Sequence, residues 1–210
     1  MSASPMTWNE IDAVARTGDL MLFHSSEPLG EAIEAVTGGF YSHVGMIVRP
    51  DPSAPPLLWE ESGVPIALDP VRGAKHTGAQ LGELRAATAV IMTYHDQPFY
   101  RRLVLARGAA FEDAVQRVVT ECEGCPFPSI LHMAEHWFEG HFLDRAAPDT
   151  AMFCSQLVAL TYQRAGLLST KHVPNWYSPS SFSAKSDQVH LLGGASFEPE
   201  VPVDVTASAV

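Results

Sequence analysis

Three residues far apart in the chain, Cys154, His43 and Glu60, carry side chains whose chemistry combines into a reaction. Cys154 opens an apolar stripe, Cys154, Leu157, Val158, Thr161, Tyr162 and Ala165, with the spacing of one helix face. A helix N-terminus carries about half a positive charge, which favours thiolate over thiol, and a nearby imidazole strengthens the effect. His43 lies in Tyr41-Ser42-His43-Val44-Gly45, where strand alternation puts His43, Gly45 and Ile47 on one face. A glycine beside it on that face leaves room for another group to approach. Glu60 ends the run Leu57-Leu58-Trp59. A carboxylate on a neighbouring strand can accept the imidazole N–H, fix its tautomer and stabilise the imidazolium. Glu61 points to the opposite strand face, so only one of the two acids can serve. Each residue also has a plainer account on its own: a small core cysteine, a histidine bonded to backbone, a strand-end acid.

Two other patterns compete. His132-Met133-Ala134-Glu135-His136 matches the H-x-x-E-H form of inverted zinc peptidases, with both histidines on one helix face. A third ligand would have to come from elsewhere. Trp137, Phe138 and Phe142 make the same segment read as an aromatic helix. Cys122-Glu123-Gly124-Cys125 is a C-x-x-C, but the gap before His132 is too short for the usual Cys2His2 zinc spacing, so it reads as a helix-ending turn. His24, His76, His95, His141, His172 and His190 show no partner pattern.

The elements that must position these groups follow from spacing and punctuation. Strands are expected at 18–23, 41–48, 57–61, 64–68 and 88–94, the middle ones divided by the proline-rich turn from Asp51 to Pro56. Leu29, Ile33 and Val36 give a helix over 29–36, stopped by Gly38-Gly39. The segment 98–122 reads as mostly helical, with Leu103, Val104, Phe111, Val115, Val118 and Val119 as core candidates. Helices follow at 129–142 and 153–165, the last closed by Gly166. Residues 173–184 read as loop, and the tail 198–210 as fraying. Strands before residue 95 and helices over 98–165 make the fold α+β, a single domain over 1–210 with its core at about 16–195.

The chain has 210 residues, 24 acidic against 13 basic, and a net charge of −11. That balance argues against nucleic acid and anionic membrane surfaces as partners, since both need clustered Lys and Arg. Three cysteines are too few for a disulfide framework, which points to a reducing, cytoplasmic setting. Met1–Glu10 lacks the basic and apolar regions of a signal peptide, and no apolar run reaches the ~20 residues of a membrane span.

Taken in order, Gly18-Asp19-Leu20-Met21-Leu22-Phe23, Tyr41-Ser42-His43-Val44-Gly45, Leu58-Trp59-Glu60 with Gly63-Val64, and Phe153-Cys154-Ser155-Gln156-Leu157-Val158 resemble the permuted branch of the papain-like, NlpC-type superfamily, the YiiX-like group of permuted amidases. Tyr177-Ser178-Pro179 resembles the stretch that follows the family's cysteine helix. The histidine strand precedes the cysteine helix, which is the permuted order. The resemblance implies a circularly permuted papain-like fold, an antiparallel sheet packed against helices that include the one bearing the nucleophile. It implies a thiol hydrolase of amide bonds (a cysteine peptidase or amidase) with Cys154 as nucleophile, His43 as base and Glu60 as orienting acid. The backbone N–H of Cys154 is the natural oxyanion donor. No cofactor or metal is called for, and the partner is a small-molecule, peptide or lipid-amide substrate. Segments 69–87 and 126–150 are expected to shape the cleft. The alternatives are a lipid acyltransferase or thioesterase on the same fold, a zinc peptidase using His132, Glu135 and His136, and a catalytically silent binding module.

Overall fold

The computed structural model describes residues 4–148 and 150–206, apart from the side chains of Leu29 and Val36. The strands are β1 (Met6–Thr7), β2 (Leu20–His24), β3 (His43–Val48), β4 (Leu57–Ser62), β5 (Gly78–Glu83), β6 (Gln97–Arg101), β7 (Leu103–Val104), β8 (Ser196–Phe197) and β9 (Val201–Asp204). The α-helices are α1 (Trp8–Val14), α2 (Pro28–Thr37), α3 (Leu84–Ile91), α4 (Ala109–Cys122), α5 (Ile130–Leu143) and α6 (Cys154–Arg164). The result is a mixed α+β structure. Its main sheet has seven strands in the order β1-β9-β6-β2-β3-β4-β5, antiparallel except where β1 meets β9. No helix among the described residues is long and apolar enough to cross a membrane.

Both sheet faces are covered, and strand alternation sorts the side chains between them. Leu20, Leu22, Val44, Met46 and Trp59 pack on one side with α4 and α6. Met21, Phe23, Ile47 and Leu58 pack on the other with α1 and α3. Trp59 reaches across to α6, its indole N–H donating to Thr161 Oγ1 at 3.3 Å. This contact lays α6 along β3 and β4, the strands that carry His43 and Glu60.

Several elements depart from the expected ones, each for a physical reason. No strand forms at 64–68: Pro65 has no N–H, and Ile66 N–H donates to the Gln80 side chain at 3.0 Å. The partner of β4 is instead the glycine-containing β5, paired along all six residues. The strand expected at 88–94 is helix α3. The Glu83 carboxylate caps it, accepting from Arg85 and Ala86 N–H, and Leu84, Ala87, Thr88 and Ile91 form its buried stripe. The segment 98–122 is not one helix. Its first part is β6 and β7, with Leu103 buried in β7 and Val104 exposed, and α4 begins only after Gly108. Residues 173–184 hold two short 3-10 turns, Pro174–Trp176 and Pro179–Phe182.

The tail is also ordered where fraying was expected. β9 is inserted between β1 and β6 and buries Val203. Just before it, Glu200 accepts from Ser183 Oγ (2.7 Å), Ala184 N–H (2.8 Å) and Tyr41 Oη (3.1 Å). Residues 207–210 lie outside the described residues.

Asp19 ties the start of β2 to the segment that follows β6. Its carboxylate accepts from Arg16 N–H (2.9 Å), Tyr100 Oη (2.6 Å), Leu103 N–H (2.9 Å) and the Arg107 guanidinium (2.6 Å), with no exposed surface. Removing one partner of a buried ion pair strands the other. Asp19→Ala is therefore expected to lower unfolding free energy by about 3–5 kcal/mol, read by urea denaturation. A loss under about 1 kcal/mol would show that the network is replaceable.

Candidate active site

The sheet brings His43 and Glu60 together because β3 and β4 are paired neighbours. His43 opens β3 with its ring at the strand end, and Glu60 projects from the same face of β4. The imidazole Nε2 lies 3.1 Å from Glu60 Oε2, with side-chain exposures of 11% and 0%. The approach is close, but the ring N–H is turned off the hydrogen-bond line. The room beside Gly45 is used by this contact: a Cβ there would come within 2.8 Å of Leu58 Cδ1 and 3.2 Å of Glu60 Cβ. The glycine admits Glu60 to the histidine rather than leaving space for a ligand.

Cys154 reaches the same imidazole from the other side of the sheet end. It is the first residue of α6, after Phe153 in extended conformation, and is buried. Its thiol is a side-chain partner of the His43 imidazole. Burial pulls the His43 pKa down, but Cys154 and then Glu60 outweigh it and hold the ring at about 10. Burial pushes Glu60 up, opposed by His43, Gln80 and His76, so acid and imidazole titrate as one unit. Cys154, His43 and Glu60 are thus gathered in one place.

Two further side chains flank the pair, of which His95 has no partner pattern in the sequence. His95 lies beside the imidazole, ring centroids 5.6 Å apart, with Phe23 at 5.5 Å from His43. Burial and the charge of His43 push His95 down to about 4, so it stays neutral and does not compete for the proton. Glu61 points to the opposite face of β4 from Glu60, as expected, where it is fully buried on the α6 side, and neither carboxylate oxygen has a hydrogen-bond partner within the protein. Burial, then the charges of Glu60 and Cys154, push it up to about 10. It is a neutral acid at pH 7.

A pocket of about 150 Å³ opens beside Cys154. Its walls are α2, through Ile33 and Thr37, and α5, through Met133 and Trp137, with Phe153 next to the thiol. Segment 126–150 thus shapes the cleft as expected. Segment 69–87 does not line it and supplies β5 at the sheet edge instead.

The competing patterns fare differently. His132 and His136 stack with ring centroids 6.3 Å apart, but no third ligand joins them or Glu135 among the described residues. Cys122 is buried at the end of α4, and Cys125 is half-buried in the turn beyond. The one cluster of three metal-type ligands among the described residues is Asp69, His76 and Glu123, whose ligand atoms lie within 4.8 Å of one another. It is knitted by its own bonds. Asp69 Oδ2 meets His76 Nε2 (3.1 Å) and Leu81 N–H (2.8 Å), and Arg72 holds Glu123 at 3.0 Å.

No family model matches the chain, and no curated protein does. Among solved structures, the chain is similar to that of the metalloprotein yiiX (DUF1105) from Escherichia coli O157:H7, with 19% sequence identity and a TM-score of 0.48. The match covers 71% of this chain and 66% of that one, so this chain spans just under two thirds of that protein's length.

Glu61 generates a prediction with a definite sign. The folded state keeps its proton up to about pH 10, whereas the ordinary value is 4.5. Between those limits the folded chain binds the extra proton, so stability falls as pH rises. Glu61→Gln is expected to remove that fall and to raise unfolding free energy at pH 8 by more than about 1 kcal/mol, with a smaller gain at pH 5. Equal effects at both pH values in denaturant titrations would contradict a buried neutral acid.

Proposed function

We propose that the chain is a cysteine hydrolase of the circularly permuted papain-like kind, cleaving an amide or related acyl bond through Cys154. The observation that carries this reading is the buried imidazole of His43 set between the Glu60 carboxylate and the thiol at the start of α6. A ring held at about 10 retains its proton at neutral pH, so a general acid stands beside the thiol.

The steps follow from that pairing. The thiolate attacks the acyl carbon, and the carbonyl becomes an oxyanion beside the first N–H groups of α6, which have no partner in the helix ladder. The imidazolium gives its proton to the departing amine, leaving an acyl-thioester on Cys154. Water then loses a proton to His43, attacks the thioester, and the thiolate departs to restore the pair. Glu60 keeps the ring oriented and supports its positive charge. Transfer of the acyl group to an alcohol or thiol instead of water would give the acyltransferase variant of the same chemistry. The substrate is a small-molecule, peptide or lipid amide, and a nucleophilic thiol suits a reducing, cytoplasmic setting.

A metal-dependent reading draws on the Asp69, His76 and Glu123 cluster. It predicts stoichiometric metal and activity lost with chelator or His76→Ala. The thiol reading predicts activity unchanged by chelator and abolished by Cys154→Ala. Among variants that keep the thiol, His43→Ala is expected to cost about 10²–10⁴-fold in kcat/KM. Glu60→Gln removes a charge that holds the ring up, so the alkaline limb of the pH–rate profile is expected to move from near 10 to lower pH. An unmoved limb would take Glu60 out of the mechanism.

A further inference from the structure

The pocket beside Cys154 is apolar in a way that its residue types alone do not convey. Ile33 of α2, Ile130, Met133, Ala134 and Trp137 of α5, and Phe153 supply its walls, and no charged side chain lines it. Three hydroxyls do line it, and each turns to backbone. Thr37 Oγ1 donates to Ile33 O (2.8 Å), Ser155 Oγ to Tyr177 O (2.9 Å) and Ser42 Oγ to Phe23 O (3.4 Å). The one unpartnered polar group of these walls among the described residues is the Trp137 indole N–H, which is itself buried, so an occupant with amide or hydroxyl groups would leave most of them unpaired, at a cost of several kcal/mol in a fully apolar setting. A hydrocarbon loses nothing and gains by leaving water. Cys154 is itself part of the wall, so the occupant is whatever extends from the carbon the thiol attacks.

We infer that the acyl half of the substrate is a medium-length aliphatic chain, lying between α2 and α5 with its carbonyl at the Cys154 sulfur. This rests on the thiol-hydrolase reading above. At about 150 Å³ the pocket matches the size of an apolar cavity that holds benzene. That sets the enclosed part of the chain at about six carbons, with longer chains emerging past Ile130, which is 57% exposed.

The test uses alkyl methanethiosulfonates from methyl to decyl on the full chain. The thiolate displaces methanesulfinate and keeps the alkyl group as a mixed disulfide, so labelling needs no hydrolysis. The rate at Cys154, mapped apart from Cys122 and Cys125, is expected to rise about threefold to fourfold per methylene up to about hexyl and then flatten. Ala32 of α2 and Ala134 of α5 both line the pocket, and in the Ala32→Trp, Ala134→Trp double variant the methyl reagent should react as before and the chain-length gain should vanish. A rate independent of chain length, or a gain that survives the block, would overturn the inference. Calorimetry of octanamide on Cys154→Ala asks the same of the pocket without the thiol. Saturable binding lost on blocking supports the inference, and no binding overturns it. A chain-length gain without hydrolysis of any acyl amide would leave the pocket assigned and sink the hydrolase reading. Hydrolysis with flat labelling would do the reverse.

Discussion

The imidazole of His43, enclosed between the Glu60 carboxylate and the Cys154 thiol, sets the terms for the rest of the molecule. A charged ring this far from water survives only with opposite charge on it. That requirement fixes β3 beside β4, a glycine at position 45 to let Glu60 approach, and the first turn of α6 at the end of the sheet. The indole of Trp59, bonded to Thr161 two helical turns from Cys154, sets the helix in place from the same strand that carries Glu60. Scaffold and chemistry therefore share their residues.

Adjacent carboxylates on β4 illustrate how environment assigns roles. Glu60 faces an imidazole that supports its charge, and Glu61 faces apolar packing under α6 and keeps its proton. A charge at Glu61 would be opposed by its neighbours Glu60 and Cys154. Its neutrality comes first from burial and then from the neighbouring Glu60 and Cys154. The chain carries a net charge of −11, while the wall of the pocket beside Cys154 carries no charge.

Much of this was legible in the residue order. The stripe from Cys154 to Ala165 was readable because one continuous face is buried, and the β3 and β4 runs because both of their faces are. What escaped depended on partners distant in the chain. β5 contains two glycines and no alternation, yet it pairs with β4 along its length. The run Thr88-Ala89-Val90-Ile91 looks like a strand until Glu83 caps it into a helix. β9 contains Pro202 and follows a loop, and only β1 and β6 on its two sides make it a strand. At the site, Cys154, His43 and Glu60 could be named from type and spacing. The place of His95 beside the imidazole and the full burial of Glu61 could not, because both come from what the fold packs next to them.

The central claim is that Cys154 carries the acyl group during turnover. The most direct measurement is acid quenching of a reaction with an N-acyl amide, followed by intact-mass and peptide mapping of the chain. The account predicts one acyl adduct, a hydroxylamine-labile thioester on the peptide containing Cys154, that disappears in Cys154→Ala together with product formation. Turnover by Cys154→Ala, or an adduct mapped to another residue, would contradict it.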